Sequence, residues 1–206
     1  MPAAKRLTRD EQRERTRTEL LAAAASVFAA KGFHAASVDD VAVAAGFTKG
    51  AVYSNFTSKE DLFLALFEQS AQDTVSTLDE ILEAPAQERV AALGARHDSM
   101  TQLTPQWHLL ETEFTLYVAR NPHLRPMLAE RQIALRTQIA ERVERHLADL
   151  GLTTTHDSND VARLLSAATN GLTMQQVAEG EDAPDMGRLL VMLLEVVFAG
   201  ITTAVD

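Results

Sequence analysis

Residues 37–62 read SVDDVAVAAGFTKGAVYSNFTSKEDL. Val38, Val41, Ala42 and Ala45 recur at helical spacing and run into Gly46, and after Phe47 and Thr48 a second short pattern carries Val52 and Phe56. Two short helices joined by a glycine-containing turn are the pattern of a helix-turn-helix, whose second helix is shaped to enter the DNA major groove. Ala42, Gly46 and Val52 stand where such a unit needs close helix approach, a tight turn and a core contact.

The second helix carries the chemistry. At about 100° per residue, Lys49, Gly50, Tyr53 and Ser54 share an arc roughly 140° wide, opposite Ala51 and beside Val52 and Phe56. Thr48 is a suitable N-cap. Lys49 then falls in the first turn, where the helix dipole disfavours a cation, and Gly50 costs about 1 kcal/mol relative to alanine inside a helix. Both are poor choices for an isolated helix and good ones beside a phosphate. The free N–H groups and Lys49 would bind the anion, and Gly50 would let the backbone come close. Tyr53 offers a hydroxyl on an apolar body, while Ser37 and Lys59, each at a helix start, would clamp the flanking DNA backbone. Singly, Ser37 and Thr48 read as ordinary caps and Lys49 and Lys59 as solvated charges. Their combination at this spacing favours DNA.

The rest of the chain reads as helical throughout. Thr8 with Glu11 forms a capping-box pattern ahead of the stripe Leu20, Leu21, Ala24, Val27, Phe28, and Lys31-Gly32 marks that helix's end. Ser37 with Asp40 and Ser58 with Asp61 repeat the start signal for the second and fourth helices, the fourth running to about Glu83. Pro85 opens a fifth helix and Pro105 a sixth. A seventh begins near Asn121-Pro122, or a few residues later because of Pro126, and stops at Gly151. Residues 153–159 read as a loop, Val161 to Leu172 mark an eighth helix, and a ninth spans Asp185 to about Thr203. The ninth is apolar on nearly all sides, so it needs burial on all sides, which a partner subunit supplies.

The 206 residues carry a net charge of −10, distributed unevenly. Up to Lys59 there are 9 Lys/Arg against 6 Asp/Glu, and beyond it 10 against 23. A basic module joined to an acidic body suits a protein that binds nucleic acid through one end only. Lys5, Arg6 and Arg9 read as a tail rather than as a minor-groove arm. With no Cys there are no disulfides, thiolate metal sites or thiol nucleophiles, consistent with a reducing cytoplasm. The N-terminal MPAAKRLTRDEQRER lacks the apolar core of a secretory signal, and the stretch Leu189 to Phe198 is shorter than the ~20 residues of a membrane span.

The run from about Thr16 to Phe67, and above all KGFHAASVDDVAVAAGFTKGAVYSNFTSKEDLF, resembles the N-terminal domain of the TetR/AcrR family of bacterial transcriptional regulators. The resemblance implies an all-α fold of about nine helices. A three-helix DNA-binding domain (residues 8–57) would be followed by a ligand-binding and dimerisation domain (residues 58–206). It implies that Ser37, Thr48, Lys49, Gly50, Tyr53, Asn55 and Lys59 lie at positions that touch operator DNA, with Ser54-Asn55 standing where the family often has an aromatic residue and a histidine. It also implies that a ligand weakens DNA binding.

Within the body, His97, Met100, Trp107, Leu110, Glu111, Phe114, Tyr117 and Met174 could converge on an apolar pocket for a small-molecule effector, or simply make core. His108 and Glu111 supply too few ligands for a metal, and no cofactor is expected. An enzyme would need a constellation absent here, since there is no phosphate-cradling glycine loop, no GxSxG and no HExxH. A helical adaptor would account for the last helix and not for Lys49, Gly50 and Tyr53. The expectation is a cytoplasmic, homodimeric repressor. Its last two helices would form a four-helix interface, and it would bind a palindromic operator and be released by an effector.

Overall fold

The computed structural model describes residues 8–97 and 104–204. Among these the chain is all-helical apart from one two-stranded sheet, and it divides into two compact units, Met1–Glu68 and Gln69–Asp206.

The first unit holds α1 (Arg9–Ala35), α2 (Val38–Ala45), α3 (Lys49–Tyr53) and the first turns of α4 (Lys59–Leu82). Thr8 and Glu11 close a reciprocal capping box, the Thr8 N–H donating to the Glu11 carboxylate at 2.7 Å and the Glu11 N–H to the Thr8 hydroxyl at 3.2 Å. Gly32, at φ 75°, breaks α1 where the sequence predicts its end, and turns Phe33 inward. There Phe28, Phe33 and Phe63 meet with ring centroids 5.3–5.8 Å apart, two of the three pairs edge-on. Gly46, at φ 71°, ends α2, and the Phe47 N–H donates back to the Ala42 carbonyl at 2.9 Å. Val41, Ala42, Val52 and Phe56 are buried, so the turn lays α3 on the core by one side only. The α4 start is capped as predicted, with the Asp61 N–H on the Ser58 hydroxyl at 3.0 Å.

The second unit contains the rest of α4, then α5 (Arg89–Arg96), α6 (Pro105–Arg120), α7 (Arg125–Asp149), α8 (Ser158–Glu179) and α9 (Met186–Ile201). Short 3-10 turns at Ala86–Glu88 and Pro122–Leu124 delay α5 and α7 past their prolines. Val143, Leu147, Val161, Leu165, Leu190 and Leu194 form the core of α7, α8 and α9. The helices α5 and α9 cross backbone to backbone at Gly94 and Gly187: a Cβ on Gly94 would lie 2.5 Å from Val191 Cγ2 and 2.9 Å from the Gly187 carbonyl oxygen.

Two sequence expectations are corrected here. Part of the 153–159 loop is a strand, β1 (Leu152–Thr154), pairing antiparallel with β2 (Thr202–Ala204), and α9 therefore stops at Ile201 rather than running to Thr203. Two of the three residues in each strand are β-branched threonines, which suit extended backbone. Within one chain α9 keeps the apolar surface that the sequence analysis assigns to a partner subunit: Met192 is 50% exposed and Val196 68%, and Leu164 of α8 is 65% exposed. No helix of the described residues is long and apolar enough to cross a membrane.

Candidate nucleic-acid interface

Local chemistry fixes α3. The Thr48 side chain accepts the Ala51 N–H at 3.2 Å, so the helix begins at Lys49, and Val52 (1% exposed) anchors its inner side. Lys49, Gly50, Tyr53 and Ser54 are all exposed, as the helical wheel requires, and Tyr53 leaves half of its surface in solvent. A Cβ on Gly50 would meet only the Thr48 hydroxyl, at 3.8 Å, and Gly50 does not have positive φ. Nothing inside the protein therefore demands glycine there.

Lys49 is not free in the isolated chain. Its ammonium lies 2.8 Å from the Asp39 carboxylate in the first turn of α2, a contact that raises the Lys49 pKa. Sequence reasoning missed Asp39. Ser37 is exposed and fully used as a cap: its hydroxyl accepts the Asp40 N–H at 3.1 Å and donates to the Asp40 carboxylate at 2.7 Å. Hydrogen bonds from Lys31 and then from Ser37 hold the Asp40 pKa at about 2. The Lys31–Asp40 pair also ties α1 to the start of α2.

Arg9 corrects a sequence expectation, and Lys59, like Lys49, is engaged within the chain. The Lys59 ammonium donates to the carbonyls of Phe33, His34 and Ala36 at 2.9, 3.3 and 3.0 Å and sits 4.5 Å from the Phe33 ring centroid. All three of its donors are engaged, so in the isolated chain it caps the end of α1. Arg9 belongs to the first turn of α1, not to a tail, whereas Lys5 and Arg6 lie outside the described residues. Asn55 turns towards its own helix, its amide donating to the Ala51 carbonyl at 2.9 Å, while its Oδ1 is buried without a partner among the described residues. The Asn55 main-chain carbonyl accepts from Arg17, whose guanidinium lies over Phe56, 4.5 Å from the ring centroid. Arg17 thus pins the end of α3 to α1.

In the second unit, Trp107, Leu110 and Phe114 occupy the buried side of α6, Tyr117 stacks obliquely on Phe114 at 6.3 Å, and Met174 of α8 accepts a weak hydrogen bond from Thr112 at 3.8 Å. His108, 3% exposed, meets Asn170 at 2.8 Å and so joins α6 to α8. Burial pushes the Glu111 carboxyl pKa up, against the opposing effect of His108. His97 packs at the α5–α9 crossing, its Nδ1 3.0 Å from the Gly94 carbonyl oxygen, and Met100 lies outside the described residues.

Residues 20–66 match the family model of bacterial regulatory proteins of the tetR family, and residues 84–198 match that of the tetracyclin repressor-like C-terminal domain. The chain is 28% identical to the HTH-type transcriptional repressor AcnR of Corynebacterium diphtheriae over 87% of its own length and 90% of that protein's. It is 38% identical to the HTH-type transcriptional activator FasR of Mycolicibacterium smegmatis, over 41% of this chain and only 36% of the relative. A crystal structure of a TetR-family transcriptional regulator from Rhodococcus sp. superposes with a TM-score of 0.72 at 21% identity, covering 89% of this chain and 98% of that one, a likeness of fold. With one family model spanning most of the second unit and another the helix-turn-helix, the chain belongs to the TetR family of bacterial regulatory proteins.

Proposed function

We propose that this protein is a homodimeric transcriptional repressor that places α3 of each subunit in the major groove of a palindromic operator and is released by a small-molecule effector. The observation that carries this reading is the outer face of α3. Gly50 is open to solvent where no internal contact needs a glycine, between an exposed lysine and an exposed tyrosine. A phosphate at this N-terminus would meet free N–H groups, close backbone, and the Lys49 ammonium once it exchanges Asp39 for the anion. Ser37 and Thr48, at the starts of α2 and α3, flank that approach.

Dimerisation through α8 and α9 is supported by their exposed apolar residues, Leu164, Met192 and Val196, which a second copy would cover. Two-fold symmetry then sets the recognition helices in successive major grooves, about 34–36 Å apart or at a longer spacing. The α6 stripe of Trp107, Leu110, Glu111, Phe114 and Tyr117, with His97 and Met174, is the proposed effector-binding side of the body. An effector there shifts DNA binding only by its difference in affinity between the two conformations. Such a regulator works in the cytoplasm, where the operator is.

Selection of genomic fragments with the purified protein tests this. Enrichment of an inverted repeat is expected; recovery of no sequence at low salt would overturn the proposal.

A further inference from the structure

The described cations of the first unit, sorted by what they touch, leave a short remainder. Lys49 is held by Asp39, Lys31 by Asp40, Arg15 by Glu19, Lys59 by three carbonyls, and Arg17 by Asn55 and Phe56. Arg9 and Arg13 alone among the described Lys and Arg residues of this unit have no hydrogen bond or ion pair within the described residues. They stand four apart on α1, so they share one face of that helix, and both are exposed.

That face borders an open groove of about 680 Å³. Arg9, Gln12, Arg13 and Thr16 line one side of it and Ser54 and Asn55, at the end of α3, the other. No carboxylate lines this groove; the nearby Asp10 and Glu14 line a separate, smaller hollow that it shares with Arg13. Two uncompensated guanidiniums on a groove free of carboxylates suit a polyanion. Because the groove runs along the end of α3, the anion within reach is the backbone of the duplex that α3 reads.

We infer that Arg9 and Arg13 bind operator phosphates along the N-terminal face of α1, flanking α3 at the end away from Lys49. This rests on the DNA-binding reading above. On docking, Lys49 must give up Asp39, whereas Arg9 and Arg13 give up only water, so they supply phosphate contacts from the first encounter. Each contact releases condensed counterions and adds about 0.9 to the magnitude of the slope of log K against log[salt].

The test is the salt dependence of binding to the selected operator by wild type, R13Q, R9Q/R13Q and the control R15Q, each with its thermal midpoint. R13Q should flatten the slope by about 0.9 per subunit and the double variant by about 1.8, with unchanged melting, because neither residue has a partner inside the protein to lose. R15Q, which removes an exposed cation already paired with Glu19, should leave the slope unchanged. If wild type binds no DNA, the DNA-binding reading itself fails. If wild type binds and R13Q keeps the wild-type slope, or R15Q flattens it equally, the inference about α1 alone is overturned.

Discussion

At Gly187 of α9, an added Cβ would run into the Gly94 carbonyl oxygen and lie 3.0 Å from His97 Nδ1; at Gly50 of α3 it would find only the Thr48 hydroxyl, 3.8 Å away. At Gly94 and Gly187 glycine is an internal requirement, because two helices cross at backbone distance. At Gly50 the fold itself has no use for the missing side chain, and the helix-propensity cost of about 1 kcal/mol is not offset by any internal contact. A glycine's surroundings therefore identify a packing requirement, which its position in the sequence does not; Gly171 and Gly200 are as open as Gly50, so the recognition reading of Gly50 rests also on the exposed Lys49 and Tyr53 beside it.

The largest effect should come from the packed side of this comparison. Gly187→Ala forces a methyl group onto backbone that cannot rotate away, and should destabilise the second unit by about 3 kcal/mol, the upper end of the usual overpacking range. Chemical denaturation measures it, and a loss near zero would mean the α5–α9 crossing is looser than described. The next effect belongs to Lys59, whose ammonium serves three main-chain carbonyls. Lys59→Met leaves three carbonyls at the end of α1 without their charged donor, and should cost about 2 kcal/mol of stability while leaving the salt slope of DNA binding unchanged. A flattened slope with full stability would return Lys59 to the DNA-contacting set.

Smaller effects sharpen the recognition side. Asp39→Asn frees Lys49 and removes a negative charge close to the proposed phosphate, and should tighten DNA binding roughly twofold to fivefold, as befits an exposed ion pair. Weaker binding would make Asp39 a positioning residue for Lys49 instead. The last effect is one of pH. Burial, with Arg89 adding to it, lowers the His146 pKa below its ordinary value of 6.5. The unfolded chain then takes up a proton that the native chain refuses. Stability from this group is complete above about pH 6.5 and is lost progressively as pH falls towards the depressed native value. Melting of H146F should show a shallower loss of midpoint below pH 6.5 than wild type, and identical pH profiles would remove His146 as the cause.

Much of this molecule was legible before any coordinates because its signals are local. The Thr8–Glu11 and Ser37–Asp40 boxes, the Ser58 cap and the Gly32 and Gly46 turns are each decided within five residues, and all appear where the sequence puts them. The exposed arc of α3 follows from helix geometry with Val52 as its anchor. What was not legible depends on distant partners. The coordination of Lys59 by residues 33–36 arises only when α1 and α4 meet, and the β1–β2 pairing joins segments about fifty residues apart. The status of Arg9 and Arg13 emerges only once every other described cation of the unit has been paired off. Their spacing of four, with Arg17 four further on, was visible in the sequence; that α3 ends beside them was not. In the body, the aromatic stripe of α6 was readable, while the bond from His108 to Asn170 on α8 required the fold.

The central claim is that α3 keeps Gly50 for the DNA, and Gly50→Ala tests it with two readouts on one protein. Alanine fits the open site and the helix, so stability should rise by about 0.5–1 kcal/mol, while affinity for the selected operator should fall because a methyl group stands where the phosphate backbone approaches. Operator affinity equal to wild type in a stabilised variant would contradict the account, since Gly50 would then serve neither the protein nor its DNA.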